Sequence, residues 1–151
     1  MPIRAAVPAD IPQIMALAAQ SETAAHWSTR EYEALFALDA PRRIAFIAEQ
    51  RPQAITGFVI ARCGPDEWEI ENLVVDPEVR RQGIAQSLVE AILGEARSCG
   101  IAAVLLEVRE SNTAARALYG KLGFKEEGGR SRYYSQPEEA AVLFRVLTAD
   151  C

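Results

Sequence analysis

The chain has 151 residues, half of them apolar and a quarter charged, with 16 basic against 21 acidic residues for a net charge of −5. That length suits one domain with its own core, and the acidic balance argues against nucleic acid as a partner, because such binding draws on Lys and Arg to neutralise phosphates. No run approaches 18 consecutive apolar residues, so no membrane partner is expected, and residues Met1 to Ala6 lack a signal-peptide apolar segment, which makes the cytoplasm the default location.

In chain order, Pro2 to Ala6 reads as a short first strand. Ile11, Ile14, Met15 and Ala18 then form a helical stripe. Ser28-Thr29-Arg30-Glu31 is a capping box opening a second helix, whose apolar face is Tyr32, Leu35 and Phe36. Arg42–Gln50 and Ala54–Cys63 are rich in β-branched and aromatic residues around Arg51-Pro52-Gln53, which predicts a hairpin. After the turn at Gly64-Pro65-Asp66, Trp68–Val75 extends the antiparallel meander. Leu88, Val89, Ile92, Leu93 and Ala96 mark one face of a helix from about Gln82 to Ser98, stopped at Cys99-Gly100.

Ile101–Val108 is nearly continuous apolar sequence, the pattern of a strand covered on both faces. It follows a strand–helix unit, so a right-handed crossover with parallel pairing is predicted. A helix from about Ser111 to Leu122 and two closing strands, Phe124–Gly128 and Ala140–Leu147, complete a mixed α/β domain.

Chemistry-bearing residues fall in two places. The strand ending in Val74-Val75-Asp76-Pro77 runs into Arg80-Arg81-Gln82-Gly83-Ile84-Ala85, where a helix starts. A helix start presents backbone N–H groups and a positive dipole end, a setting for an anion such as phosphate. Neither the Walker A pattern nor the dinucleotide fingerprint is present. Glu107, inside Val104-Leu105-Leu106-Glu107-Val108, is a carboxylate near the C-terminal end of the central strand, where ligands gather in open α/β sheets. Apolar surroundings would make it a better proton acceptor near neutral pH; an ion pair with Arg109 or Arg116 is the bland alternative. Tyr119 shares a helical face with Ala115 and Leu122, so it is either core packing or a proton donor to a departing thiolate. Phenol and thiol pKa values of about 10 and about 8.5 are close enough for that transfer. Asn112 sits at the helix start as a cap. Cys63, Cys99 and Cys151 are odd in number and lack metal spacing, so ordinary thiols and no metal are expected. His26 is the sole histidine, so any Ser–His or Cys–His nucleophile would rest on it.

Arg80, Gly83 and Ala85 fill the pattern [R/Q]-x-x-G-x-[G/A] directly after a strand ending in Val-Asp-Pro. Further on come Leu106-Glu107-Val108-Arg109-Glu110-Ser111-Asn112, Ala117-Leu118-Tyr119 and Leu122-Gly123-Phe124. Together these resemble the GCN5-related N-acetyltransferase (GNAT) family, in order and at family spacing over essentially the whole chain. The wording is most similar to the ribosomal-protein alanine N-acetyltransferase branch, as are His26-Trp27-Ser28 and Arg130 with Tyr133-Tyr134. The chain departs from that branch in His26, where Pro is usual, and in the compact Ser135-Gln136-Pro137-Glu138-Glu139.

The resemblance implies a mixed sheet of about seven strands flanked by about four helices, and a monomer is the assembly favoured. It implies acetyl-coenzyme A as co-substrate, its pyrophosphate at Arg80, Arg81, Gln82, Gly83, Ile84 and Ala85, and its pantetheine arm along Leu73, Val74 and Val75 with Asn112 touching the same arm. Glu107 would be the general base, with Glu71 as second candidate, and Tyr119 the general acid. Trp27, Glu71, Tyr133 and Tyr134 would line the cleft for the acceptor, a protein N-terminus, possibly of a ribosomal protein. A free α-amino group, with a pKa of about 7.7–8.0 against about 10.4 for Lys, is more often neutral at pH 7 and needs only a modest base. The alternatives are a lysine or small-amine acetyltransferase and a non-catalytic coenzyme A-binding regulatory domain.

Overall fold

A computed structural model describes residues 2–21, 24–25, 27–37, 42–52, 54–79, 83–135 and 138–150, with the backbone alone for 129–135, 138–139 and 150. Within these residues a single sheet holds seven strands: β1 (Ile3–Ala5), β2 (Arg43–Arg51), β3 (Ala54–Cys63), β4 (Glu67–Val75), β5 (Ala103–Arg109), β6 (Lys125–Ser135) and β7 (Glu138–Leu147). Their spatial order is β1-β2-β3-β4-β5-β7-β6. Four α-helices flank it: α1 (Ile11–Ala19), α2 (Thr29–Glu33), α3 (Ile84–Ser98) and α4 (Thr113–Lys121). This is the mixed α/β architecture expected from the sequence.

Local chemistry sets the helix starts. Ser28 Oγ accepts from the Glu31 N–H at 3.2 Å while the Glu31 carboxylate accepts from the Ser28 N–H at 3.2 Å, the reciprocal capping box predicted for α2. That helix is short and tightens into a 3-10 turn over Ala34–Phe36. A further 3-10 turn, Pro8–Asp10, precedes α1 and was not foreseen. There Asp10, buried, accepts two hydrogen bonds from Arg4 at 2.9 Å and one from the Val7 N–H at 2.8 Å. Arg4 also reaches Glu49 at 3.0 Å, so one cation ties β1, the turn and β2.

The sheet has two apolar faces. On one, the α3 stripe of Leu88, Val89, Ile92, Leu93 and Ala96 packs on Val59, Trp68, Ile70, Val104 and Leu106. On the other, Ile14, Leu17, Tyr32 and Leu35 from α1, α2 and the adjoining turn cover Ile47, Phe58, Ile60 and Val74. Each Val, Leu, Ile or Phe among them contributes roughly 1.5–3 kcal/mol on burial. Gly57 lets α3 approach: a Cβ there would lie 3.0 Å from the Val74 carbonyl oxygen and 3.2 Å from both Ile84 Cγ2 and Leu88 Cδ1.

Two expectations are corrected. The strand Ala103–Arg109 is not covered on both faces: Val104, Leu106 and Val108 are buried under α3 and α4, but Leu105, Glu107 and Arg109 are only half-buried on the side that α1 and α2 do not reach. Apolar Leu105 made the run look continuous. The strand expected to end at Gly128 runs to Ser135, because β7 pairs with it out to Ser135↔Glu138. The Gly128-Gly129 pair reads as a turn in the sequence, whereas the strand carries a register shift between Glu126 and Gly128 and continues past it.

The sheet's central irregularity positions the site. β3 and β4 pair antiparallel, but Ile60 opposes Asn72 while Ala61 opposes Ile70, which leaves Glu71 as an extra residue on β4. Side-chain phase follows. Trp68 and Ile70 face α3, Glu71 and Asn72 both turn to the opposite side, and Leu73 and Val75 return to the α3 face. β4 pairs parallel with β5, as predicted, only at Glu67↔Ala103 through Ile70↔Leu106. Both strands continue past that point, to Val75 and Arg109, without pairing with each other. The sheet opens at the bulge.

The Arg4 guanidinium holds the Asp10 carboxyl below the usual carboxylate range, outweighing the opposite effect of burial. A folded-state pKa depressed in this way contributes stability above the unfolded value, about 3.9, that is lost as pH falls through the folded value. Denaturant midpoints of the wild type should therefore drop between pH 6 and pH 3, and Asp10→Asn should lower the pH 6 midpoint while flattening that acid dependence. Gly57→Val should lower unfolding free energy by about 1–3 kcal/mol in the same assay, the range for overpacking a tight contact.

Candidate active site

Past Ile70 and Leu106 the opened strands frame a cleft of about 510 Å³. Its walls are Leu73–Val75 of β4, Leu106–Val108 of β5, Gly83–Gln86 at the start of α3, and Asn112, Ala115, Leu118 and Tyr119 around α4. The cleft passes between the strands to Ser21, Glu71 and Asn72 on the other side of the sheet. Gly83 occupies the left-handed region at φ 76° as the residue preceding the first turn of α3, a conformation that costs an L residue roughly 1–2 kcal/mol. The first-turn N–H groups of α3 thus border the cleft, and such groups lack intrahelical acceptors. The unpaired stretch of β4 adds main-chain donors and acceptors along the same wall.

Glu107 is half-buried on β5, with its Oε2 shielded from solvent. It lines this cleft and also a second one, about 890 Å³, on the sheet face not covered by a helix. The second groove is bounded by Leu105, Ala141, Leu143 and Gly128 on its floor, and by Arg62, Glu67, Glu69 and Glu127 among its charged residues. Glu107 is the one described residue common to both linings. Across the rim Arg145 ion-pairs with Glu67 and, at 2.6 Å, with Glu127, tying β7 to β4 and β6. Cys63 also lines the groove, and burial pushes its thiol up, which disfavours the thiolate.

Tyr119 is 5% exposed and packs its ring near Phe124 (centroids 5.6 Å apart) and Phe144 (6.0 Å). It is a core residue and a cleft residue at once, so the two sequence readings of it are not exclusive. Asn112 caps α4 as expected, its Oδ1 accepting from the Ala115 N–H at 3.2 Å, and it borders the cleft too.

At the far end, Glu71 receives Arg43 Nε at 2.6 Å, and the Arg43 guanidinium lies 5.0 Å from the Trp27 ring centroid. Trp27 in turn contacts Tyr32 at 5.3 Å. Asn72, 4% exposed, accepts from the Ala25 N–H and donates to the Tyr32 hydroxyl, both at 3.2 Å. Burial raises the Tyr32 phenol, which keeps it protonated.

Of the residues singled out from sequence, Glu107, Tyr119, Leu73, Val74, Val75, Gly83, Ile84, Ala85, Asn112 and Glu71 converge on one cleft, while Trp27 stands behind Arg43. Val74 contributes backbone to the cleft and buries its side chain on the α1 side. Tyr133 and Tyr134 lie on β6, with Tyr134 opposite Glu139, and their side chains fall outside the description. Arg80, Arg81, Gln82 and His26 also lie outside the described residues. Sequence reasoning missed Arg43, Tyr32 and Asn72. The signal for Asn72 was present: Glu71-Asn72 breaks the alternation of β4 with two successive polar residues. Among the described residues no group of three or more His, Cys, Asp or Glu could hold a metal ion, and no helix is long and apolar enough to cross a membrane.

Comparison with known proteins gives this arrangement a context. The Acetyltransferase (GNAT) family pattern matches residues 11–124. A [Ribosomal protein bS18]-alanine N-acetyltransferase of Escherichia coli K12 is 38% identical over 94 residues, covering 61% of this chain and 64% of that protein. The match therefore spans under two thirds of that relative's length. The N-alpha-acetyltransferase RimI of Mycobacterium tuberculosis is 41% identical over 91 residues, 60% of this chain and 56% of the relative. The crystal structure of the ribosomal-protein-S18-alanine N-acetyltransferase from Escherichia coli superposes with a TM-score of 0.86 at 30% identity, covering 97% of this chain and 93% of that one. With the family pattern running from α1 to Phe124, through both strands that frame the cleft, this chain belongs to the GNAT family of acetyltransferases.

Proposed function

We propose that the chain is one domain that transfers the acetyl group of acetyl-coenzyme A to the N-terminal α-amino group of a protein, with a ribosomal protein of the cytoplasm as acceptor. The observation that carries this is the position of Glu107, on the strand edge where the cleft between β4 and β5 meets the groove on the open sheet face. One substrate reaches it from the helix side and the other from the opposite side, so both can be present together and the amine can attack directly.

The residues of the cleft fit the co-substrate. An arm carrying amide groups suits the exposed main chain of Leu73–Val75, which lacks a β5 partner. A pyrophosphate suits the start of α3 at Gly83, Ile84 and Ala85, with Arg80, Arg81 and Gln82 preceding it in sequence. The thioester supplies an activated carbonyl carbon. In this reading Glu107 takes the proton of the attacking amine, directly or through one water, as the N–C bond forms. The N–H of Val75 faces the negative charge developing on the carbonyl oxygen. Tyr119 gives its phenolic proton to sulfur as the C–S bond breaks. Glu71, the other candidate base, is already engaged by Arg43, which favours Glu107 for proton transfer and Glu71 for shaping the acceptor end. The names of the two relatives, a ribosomal-protein alanine N-acetyltransferase and an N-alpha-acetyltransferase, support the choice of acceptor.

Glu107→Gln and Tyr119→Phe should each keep acetyl-coenzyme A affinity by calorimetry within about twofold and lower kcat by roughly 10²–10⁴-fold, the usual reach of a proton-transfer group. Unchanged kcat in both would remove the assigned roles. Mass spectrometry of an alanine-starting peptide with an internal Lys should show the acetyl group on the α-amine. Modification of Lys alone would assign the chain to side-chain acetylation, and binding without turnover would make it a coenzyme A-binding regulatory domain.

A further inference from the structure

We infer that Asn72 is a positioning residue for the acceptor: its carboxamide ties Ala25 and Tyr32 to the bulge of β4 at the far end of the cleft. This inference rests on the acetyl-transfer reading given above. Asn72 is buried in a network with polar atoms at both ends of its side chain, Oδ1 receiving the Ala25 N–H and Nδ2 giving to the Tyr32 hydroxyl. A position that must accept from an amide and donate to a phenol oxygen fits a carboxamide, because a carboxylate only accepts and an aliphatic side chain does neither.

The bulge makes this contact possible. Regular alternation would send Glu71 and Asn72 to opposite faces, whereas the extra residue turns both toward the α1–α2 side. Two tethers then rise from consecutive residues. Asn72 holds Ala25 and Tyr32, while Glu71 holds Arg43, which lies over Trp27. The Trp27–Tyr32 ring contact joins the two tethers above the sheet. Between them they hold Ala25 and Trp27 beside the end of the cleft lined by Ser21, Glu71 and Asn72, on the side away from Gly83 and the start of α3. A residue placed there acts on the amine's approach and leaves the coenzyme end of the cleft alone.

The test separates the two ends. Asn72→Ala should raise KM for an alanine-starting peptide about tenfold, in keeping with the loss of a buried hydrogen-bonded pair, with KM for acetyl-coenzyme A within about twofold. In hydrogen-exchange NMR the Ala25 amide should exchange at least tenfold faster. Tyr32→Phe keeps the ring against Trp27 and removes only the hydroxyl; it should move both readouts in the same direction by a smaller factor. The double variant should fall short of the product of the single effects, because the groups share one network. If Asn72→Ala does not fold, Tyr32→Phe carries the same test. Peptide KM unmoved in the variants that fold, with wild-type turnover intact, would overturn the positioning role alone, as would a matching rise in acetyl-coenzyme A KM. Absence of wild-type turnover on any amine would overturn the transfer reading and the acceptor role with it.

Discussion

Everything about this site depends on one surplus residue in β4. The extra position at Glu71 falls immediately beyond Ile70, where β4 and β5 cease to pair. A bulge bends its strand and increases the local twist. Beyond it β4 stays with β3 and β5 stays with β7, so two half-sheets diverge from a seam of four register positions, Glu67↔Ala103 to Ile70↔Leu106. The divergence exposes main chain within the sheet, and it admits a ligand between the strands while α3 spans the junction on one side.

The polar groups near the seam are arranged at unequal depth. Asn72 and Tyr32 are fully enclosed and paired to each other, whereas Glu71 and Arg43 retain 19% and 18% side-chain exposure. A buried neutral pair avoids the large desolvation penalty of an ion and contributes of order 1 kcal/mol per hydrogen bond. The ion pair sits nearer solvent, where desolvation is smaller. Neutral groups inside and charged groups at the mouth together give a rigid wall without an uncompensated charge.

Much of this was legible in the residues, for physical reasons that differ by element. Helix α2 announces itself through Ser28 and Glu31 because the capping box lies within four consecutive residues, and α3 through Leu88, Val89, Ile92, Leu93 and Ala96 because one face must be apolar. The bounds of β3 follow from the turns beside it. Glu107 and Tyr119, picked out for their chemistry, both border the cleft, and their chemical roles belong to the proposal. Less could be read where partners are distant in sequence. Arg43 meets Glu71 across 28 residues and Asn72 meets Tyr32 across 40, and no local pattern encodes such registers. The run around Leu105 misled because an apolar residue on an open groove looks the same in sequence as one in a core.

The short seam also restricts how a lineage could remodel this protein. Substitutions along β4 change the chemistry of one wall at a time. Loss of the surplus Glu71 would leave the faces of Leu73, Val74 and Val75 as they are, whereas loss of one residue from the regular pairing that follows, Leu73 for instance, would send Val74 toward α3 and Val75 away from it. Diversification of the acceptor wall is therefore open to composition along the strand and to length only at the bulge.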